Sequence, residues 1–270
     1  MDRPAPHAPV PGWSGFFGML GEKHFSPFKT YVNRPYRTVV ILNPKVGTKS
    51  FRQALVDAMR EIQGICDPSG GRYRLFRKAR EFPFAPLADY AHALRFPGQY
   101  QYFCFVRNPY ARLRSAWQNK FAYGHVQGYS RSIRRRELPR LRRHAQASGL
   151  PGGADGTAIP FTTFLAYVES GEAGRRDHHW DDQHRVLLMN RLRYERCFHM
   201  EGEFTAGMIQ VFERIGLAGP AMERILARQR NVSPREEAPV FTPELAARAQ
   251  RLYQRDFELF GYDTGSWRGL

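Results

Sequence analysis

The stretch ILNPKVGTKSFRQAL, residues 41–55, carries the signal that decides the fold of this chain. Its start completes an apolar and β-branched run over residues 38–42, which is typical of a strand buried on both faces. Its end opens a predicted helix over residues 50–63, because Phe51 and Leu55 fall on one side of a helix. A strand, a tight loop and a helix in this order predict the first unit of an α/β fold.

The loop inside this stretch has the composition of an oxyanion site. Its candidate binding residues are Lys45, Val46, Gly47, Thr48, Lys49 and Ser50. Glycine lets the backbone approach a ligand, and the N-terminus of the following helix supplies N–H groups and partial positive charge that stabilise an anion. The loop does not match the G-x-x-x-x-G-K-[ST] pattern of nucleotide-binding P-loops, so it predicts a phosphate or sulfate ligand in another setting. An ordinary strand-to-helix turn with solvated lysines is the alternative.

A second strand, loop and helix follow further along the chain. The run YQYFCFV, residues 100–106, predicts another buried strand, and Pro109 marks its end. A helix is predicted from residue 110 to about residue 121, with Arg107 in the loop before it. Since ligands of parallel sheets bind at the carboxyl ends of the strands, the two loops are expected at one edge. The predicted fold class is α/β, a P-loop-like three-layer fold with a central parallel sheet flanked by helices.

Changes in composition predict how the chain is divided. Residues 1–35 are rich in proline and glycine, which predicts an irregular N-terminal leader. Residues 36–270 are interpreted as a single domain that contains a basic excursion at about residues 125–158. Hydrophobic residues make up 42% of the chain, which is enough for a globular core of this size.

The net charge of +16 favours an anionic partner. The arginines from Arg131 to Arg143 are interpreted either as contacts for an anionic acceptor, such as an acidic polysaccharide, or as a solvated basic helix face. A basic nucleic-acid-binding module is an alternative class of protein. The sequence contains no zinc knuckle, RNP motif or heptad-linked basic region, so no nucleic acid partner is expected.

Cysteine content and hydropathy indicate in which cellular compartment the protein is expected. Cys66, Cys104 and Cys197 cannot all pair within the chain, so they do not form a disulfide framework. The sequence shows neither a signal-peptide core nor an apolar run of membrane-spanning length. We therefore expect a soluble cytoplasmic protein, in which Gly15 to Leu20 offer a peripheral contact to a membrane or a partner.

The two loops together resemble those of a known family. Residues 44–50, PKVGTKS, resemble the P-K-x-G-[ST]-T loop of sulfotransferases that use 3′-phosphoadenosine 5′-phosphosulfate, although Lys49 stands where Thr or Ser is usual. Residues 105–117, FVRNPYARLRSAW, resemble that family's F-V-R-[DNEH]-P-[FY]-x-R-L-x-S-A-[WY]. Residues 179–183 and 252–262 resemble the H-W-x-P-Q and Y-x-x-D-[FY]-x-L-F-G-Y segments of family 2 carbohydrate sulfotransferases, of the chondroitin and HNK-1 type. The resemblance is weakest in the basic excursion.

This resemblance implies an enzyme of polysaccharide biosynthesis, a carbohydrate O-sulfotransferase. Such an enzyme moves a sulfuryl group from 3′-phosphoadenosine 5′-phosphosulfate to a carbohydrate hydroxyl by in-line transfer, without a metal ion. The matched motifs imply that Lys45 is catalytic and neutralises the leaving phosphate, and that residues 45–50 bind the 5′-phosphosulfate. They imply that Arg107 and Ser115 bind the 3′-phosphate. Animal relatives sit in the Golgi behind a membrane anchor, so this sequence suggests a soluble, bacterial-like member.

The sequence offers four candidates for the general base that acts on the acceptor hydroxyl. His179 is the leading candidate, because histidine titrates in the physiological range and this one stands in a family-like motif. The other candidates are His178, His92 and Glu81. A structural histidine packed with Trp180 is the other interpretation of His179.

A P-loop kinase-like enzyme is the alternative that shares the nucleotide-binding chemistry. It requires a G-K-[ST] loop and a carboxylate for magnesium. The loop is absent from this sequence and no convincing carboxylate stands out. The sequence therefore favours the sulfotransferase interpretation.

Overall fold

The computed structural model of the protein describes residues 29–63, 87–122, 130–152, 158–171, 174–228 and 240–270. The chain divides into two compact units. Unit 1 consists of Met1–Arg107 and Gln183–Arg235, and unit 2 of Asn108–Asp182 and Glu236–Leu270. That residues 36–270 behave as a single domain stays a prediction.

Unit 1 is built on a four-stranded sheet. Its strands are β1 (Thr30–Asn33), β2 (Thr38–Ile41), β3 (Gln101–Val106) and β4 (Arg196–His199), and they lie in the order β1-β2-β3-β4. Strands β2, β3 and β4 are parallel, and β1 runs antiparallel to β2. The carboxyl ends of the three parallel strands therefore share one edge, and the predicted α/β class is confirmed.

Helices account for most of the remaining described structure. They are α1 (Thr48–Gln63), α2 (Leu87–Arg95), α3 (Pro109–Lys120), α4 (Ser130–Ala147), α5 (Phe161–Ser170), α6 (Gln183–Val186), α7 (Met200–Arg214), α8 (Ala221–Arg228), α9 (Pro243–Leu252) and α10 (Gln254–Phe260). Within the part of the chain that the structure describes, none of them combines the length and the apolar character that crossing a membrane requires. The segment Gly15 to Leu20 lies outside the described residues.

Strand β1 lies within the stretch predicted as an irregular leader, residues 1–35. Thr30 pairs with Ile41 and Asn33 with Thr38. The side chain of Tyr31 is almost fully buried in the core of unit 1. Composition concealed this strand, because four residues beside a Pro-containing turn are too short for a periodic signal.

Both faces of the sheet are covered, which explains the unbroken apolar strands. On one face, Phe105 of β3 packs against Phe51 of α1, with ring centroids 5.8 Å apart, and Phe51 packs against Phe212 of α7 at 5.3 Å. On the other face, the hydroxyl of Tyr102 donates to the carbonyl of Ala93 in α2. Each large apolar side chain buried in this way contributes about 1.5–3 kcal/mol of transfer free energy.

The described residues of unit 2 are mainly helical, and residues 130–147 of the basic excursion form helix α4. Helix α4 buries Ile133 and Leu141 in the core of unit 2, and its Ala145 is also buried. In that core Trp180 lies 5.5 Å from Phe164, in an edge-to-face contact between the rings. The predicted excursion thus contains a packed helix, although residues 123–129 and 153–157 lie outside the described residues.

Candidate functional site

The loop after β2 enters α1 with an unusual backbone. Lys45 and Gly47 have positive φ angles of 71° and 74°. The carbonyl of Gly47 accepts the first helical hydrogen bond, from the N–H of Phe51 at 2.9 Å. Gly47 is therefore the N-cap, and the N–H groups that follow it have no acceptor within the helix. Positive φ at a residue such as Lys45 is unfavourable and concentrates at functional sites.

The side chains of this loop have different surroundings. The side chain of Val46 is buried in the core of unit 1, so Val46 can contact a ligand only through its backbone. The hydroxyl of Thr48 donates to the carbonyl of Asn43 at 2.8 Å and braces the loop. Ser50 is buried, whereas Lys49 is exposed. The loop can thus present backbone N–H groups and lysine charges to an anion, while the Thr48 hydroxyl proton is used internally.

Replacing Gly47 with alanine is expected to destabilise unit 1 and distort the loop. An added Cβ would lie 2.4 Å from Cζ of Phe204, at a φ that disfavours any side chain. The Phe204 ring packs edge-on against Phe105, so it cannot move away without disturbing the core. We expect a loss of about 1–3 kcal/mol in the free energy of unfolding, measured by denaturant titration.

Gly98→Ala is the matched control, since nothing lies within 4 Å of a Cβ at that position. Its free energy of unfolding should stay within about 0.5 kcal/mol of the wild-type value. Equal losses in the Gly47 and Gly98 variants would contradict the account of the loop.

Arg107 follows β3 directly and contacts this loop. Its Nη1 donates to the carbonyl of Lys45 at 3.1 Å. Its Nε lies 3.8 Å from Oε1 of Glu201, which follows β4. The structure therefore brings together Lys45 and Arg107, as neighbouring parallel strands require, and it adds a carboxylate that the sequence analysis did not assign to the site.

Two buried amide side chains lie behind this contact. Oε1 of Gln183 accepts from the N–H of Arg107 at 3.0 Å and from Nδ2 of Asn43 at 2.8 Å. Nε2 of Gln183 donates to the carbonyl of Arg107 at 2.8 Å. In the sequence, Gln183 matches the last position of the H-W-x-P-Q segment, but the sequence analysis assigns it no function. Asn43 carried no signal beyond its place between strand and loop.

Ser115 lies in unit 2, in the middle of α3. The helix is capped by Asn108, whose side chain accepts from the N–H groups of Tyr110 and Ala111 at 3.0 and 3.3 Å. Ser115 is partly exposed. Its assignment to the 3′-phosphate stays a prediction.

Arg112 of α3 fixes the segment that carries His179. Its guanidinium is buried and donates to the carbonyl of Asp181 at 2.7 Å and to that of His178 at 2.9 Å. Burial lowers the pKa of Arg112 from its ordinary value. The hydroxyl of Tyr253 donates to the carbonyl of Trp180 at 2.6 Å. These bonds hold the backbone of the segment, and with it the orientation of the histidine.

His179 forms a short hydrogen bond with Asp177. Nδ1 of His179 lies 2.6 Å from Oδ1 of Asp177, which also accepts from the N–H of His179 at 3.0 Å. The carboxylate is buried and pairs with Arg136 through its other oxygen. Burial alone would raise the pKa of Asp177, but the hydrogen bond from His179 and the charges of His178 and His179 bring it below its ordinary value. Asp177 is thus ionised at neutral pH, and Nε2 of His179 is the nitrogen that can take a proton.

The other candidate bases occupy different positions. The ring of His178 packs against that of His179 in a tilted arrangement, with centroids 4.3 Å apart. His92 lies in unit 1 at the amino end of β3, where its Nδ1 is 2.9 Å from the hydroxyl of Tyr100. His92 therefore lies at the amino ends of the parallel strands, whereas Lys45 lies at their carboxyl ends. This position argues against a catalytic role for His92. Glu81 lies outside the described residues.

Asp177, His178 and His179 place potential metal-ligand atoms within 4.8 Å of one another. The carboxylate of Asp177, however, already accepts from His179 and pairs with the guanidinium of Arg136. A cation bound between Oδ1 and the two histidines would have to displace the hydrogen bond from His179. This donor set fits a hydrogen-bonded Asp–His pair better than a metal centre.

The arginines of α4 divide between the interior and the surface. Arg134 is buried and donates to the carbonyl of Lys120 at 3.1 Å. Glu137 is also buried, accepts from the hydroxyl of Tyr167, and pairs with Arg140 at 3.3 Å. The arginines that the structure places on the exposed face are Arg135, Arg136, Arg140 and Arg143. One part of the run is therefore structural, and the other part forms a basic surface.

Comparison with known proteins places this geometry in context. The model of the Sulfotransferase family matches residues 32–263. Carbohydrate sulfotransferase 14 of Danio rerio is 28% identical over 244 residues, covering 86% of this chain and 61% of that protein. Carbohydrate sulfotransferase 12 of Mus musculus is 27% identical over 174 residues, covering 61% of this chain and 40% of that protein. The chain thus spans less than two thirds of the length of these relatives. No solved structure matches it significantly.

Proposed function

Because this chain belongs to the sulfotransferase family, we propose that it transfers a sulfuryl group from 3′-phosphoadenosine 5′-phosphosulfate to a hydroxyl of a carbohydrate. The observation that carries this proposal is the contact of Arg107 with Lys45 at the carboxyl edge of the parallel sheet. The carbohydrate acceptor is supported by the similar proteins, which are named carbohydrate sulfotransferases.

The residues at this edge fit a donor with two anionic groups. The N-terminus of α1 with Lys45 suits the 5′-phosphosulfate, since helix N-termini stabilise anions. The planar fork of Arg107 suits a phosphate. Its ion pair with Glu201 is 3.8 Å long and partly exposed, so it is weak, and a phosphate dianion can replace it.

The bound donor supplies an activated sulfuryl group whose leaving group is a phosphate. The chain contributes positioning and preorganised positive charge, as in phosphoryl transfer. Lys45 neutralises the charge that develops on the leaving oxygen, and the N–H groups at the start of α1 hold the anionic oxygens. Nε2 of His179 takes the proton of the acceptor hydroxyl, while Asp177 holds Nδ1.

An anionic polysaccharide acceptor is favoured by the exposed arginines of α4. In the variant Arg135→Ala/Arg143→Ala we expect KM for such an acceptor to rise about three- to tenfold with little change in kcat. The reason is that two exposed charges that attract the acceptor are lost, away from the reacting atoms. The measurement is acceptor-dependent turnover at low and high salt.

Arg251→Ala/Arg255→Ala is the matched control, because it removes the same charge from other exposed positions of unit 2. If both double variants raise KM equally, the effect reflects net charge and not α4.

Transfer itself is tested by incubating the purified chain with the donor and a panel of desulfated and sulfated polysaccharides, with a chelator present. Release of adenosine 3′,5′-bisphosphate should depend on a carbohydrate acceptor and persist without divalent metal. Magnesium-dependent use of ATP in a parallel incubation without chelator would support the kinase-like alternative. Steeply salt-dependent binding of DNA or RNA without nucleotide binding would support a nucleic-acid-binding module. A cytoplasmic location stays a prediction from the sequence.

A further inference from the structure

Gln183 joins the ends of two strands in unit 1. It is the first residue of α6, and its side chain is fully buried. One amide group engages both the N–H and the carbonyl of Arg107, and it also accepts from Nδ2 of Asn43. Arg107 is the first residue beyond β3, so these two backbone groups need partners outside the regular ladder. Gln183 supplies both.

The hydrogen-bonding groups of Arg107 fix the orientation of the Gln183 side-chain amide. The backbone N–H of Arg107 must donate and its carbonyl must accept, so Oε1 and Nε2 of Gln183 cannot be exchanged. Because Oε1 of Gln183 can only accept, Asn43 must present its Nδ2 donor to it. Oδ1 of Asn43 then points to a position where it has no hydrogen-bond partner among the described residues. A buried acceptor in that state is unfavourable.

The two residues that Gln183 contacts, Asn43 and Arg107, also form hydrogen bonds with the anion-binding loop after β2. The backbone carbonyl of Asn43 accepts the hydroxyl of Thr48 at the start of α1. On its other side, the guanidinium of Arg107 donates to the carbonyl of Lys45. A rotation of the backbone at Arg107 would move the guanidinium away from Lys45. The amide of Gln183 opposes that rotation, because it holds the peptide groups on both sides of the Arg107 Cα.

We infer that Gln183 is a positioning residue for donor binding, which acts by holding the backbone of Arg107 so that its guanidinium is presented to the 3′-phosphate. This inference rests on the proposed function. It predicts that substitution of Gln183 weakens recognition of the 3′-phosphate specifically. A merely structural role would affect all nucleotides alike.

The test compares two ligands on the variant Gln183→Met, which removes the hydrogen bonds of the Gln183 amide to Arg107 and Asn43 at similar volume. Calorimetry gives Kd for adenosine 3′,5′-bisphosphate and, by competition, for adenosine 5′-monophosphate, which lacks the 3′-phosphate. We expect the bisphosphate to bind about ten- to hundredfold more weakly and the monophosphate to change by less than about threefold. The matched control is Gln254→Met on the exposed surface of α10, which should change neither value.

A double variant shows whether Gln183 acts through Arg107. Arg107→Ala/Gln183→Met should bind the bisphosphate as weakly as Arg107→Ala alone, because a positioning residue has nothing left to position. Additive losses, or equal losses for both nucleotides in Gln183→Met, would overturn the inference. If the methionine variant does not fold, Gln183→Glu replaces it, since this change keeps the acceptor for the Arg107 N–H and removes the donor to its carbonyl.

Different results would overturn the proposed function and the positioning role of Gln183. A wild-type chain that does not discriminate between bisphosphate and monophosphate overturns the proposed function. A wild-type chain that discriminates, together with a Gln183 variant that discriminates equally well, overturns only the positioning role.

Discussion

Replacing Lys45 with methionine is expected to lower kcat by about 10²- to 10³-fold, while KM for the sulfate donor changes by less than about fivefold. Methionine has a similar length and no charge, so it leaves the loop filled and removes the cation. The charge on the leaving oxygen grows toward the transition state, so the loss falls on kcat. The backbone at Lys45 is held by Arg107 through its carbonyl, which keeps the loop in place in the variant. Steady-state release of adenosine 3′,5′-bisphosphate measures both constants.

Lys49→Met is the comparison for this prediction. Lys49 carries the same charge in the same loop, but its side chain is exposed. We expect it to raise KM for the donor and to keep kcat within about threefold. If Lys49→Met loses kcat and Lys45→Met does not, the catalytic lysine has been assigned to the wrong position.

The second large effect is expected at His179. His179→Ala should lower kcat by about 10²- to 10⁴-fold, the range of general acid–base catalysis. A base acts in its unprotonated form, so wild-type activity should fall as the solution becomes acidic. That fall should be absent from the residual activity of the variant. The measurement is kcat against pH, with thermal unfolding of each protein as a check on folding.

His178→Ala is the natural control, because the two rings are neighbours and only His179 has the short bond to Asp177. It should keep kcat within about fivefold. A variant of His179 that unfolds at lower temperature but keeps its kcat and its pH dependence would support the structural interpretation of this histidine instead. An equal loss in both variants would leave the base unassigned between them.

The loops after β2 and β3 could be predicted from the sequence, because strand, loop and helix are contiguous there. The residues around Gly47 and Arg107 lie directly at the ends of apolar runs, and parallel strands put such ends at one edge. A local signal of this kind also stands at the start of α9, where the Thr242 side chain accepts from the N–H of Leu245.

The remaining parts of the site depend on contacts between distant residues. Asn43 and Gln183 are 140 positions apart, and no local sequence pattern predicts the hydrogen bond between their side chains. The bond of Asp177 to His179 is local, but the pairing of Arg136 with the same carboxylate is not. In α4, the density of arginine concealed an apolar face that packs in unit 2.

The donor site is tested by calorimetric binding of adenosine 3′,5′-bisphosphate, with ATP and adenosine 5′-monophosphate as controls, on the wild-type chain and on Arg107→Ala. We expect micromolar binding by the wild type that requires the 3′-phosphate and is lost in the variant, because the guanidinium beside Lys45 is the group assigned to that phosphate. Absence of binding, or equal binding of ATP, would contradict the assignment of this edge of the sheet to a sulfate donor.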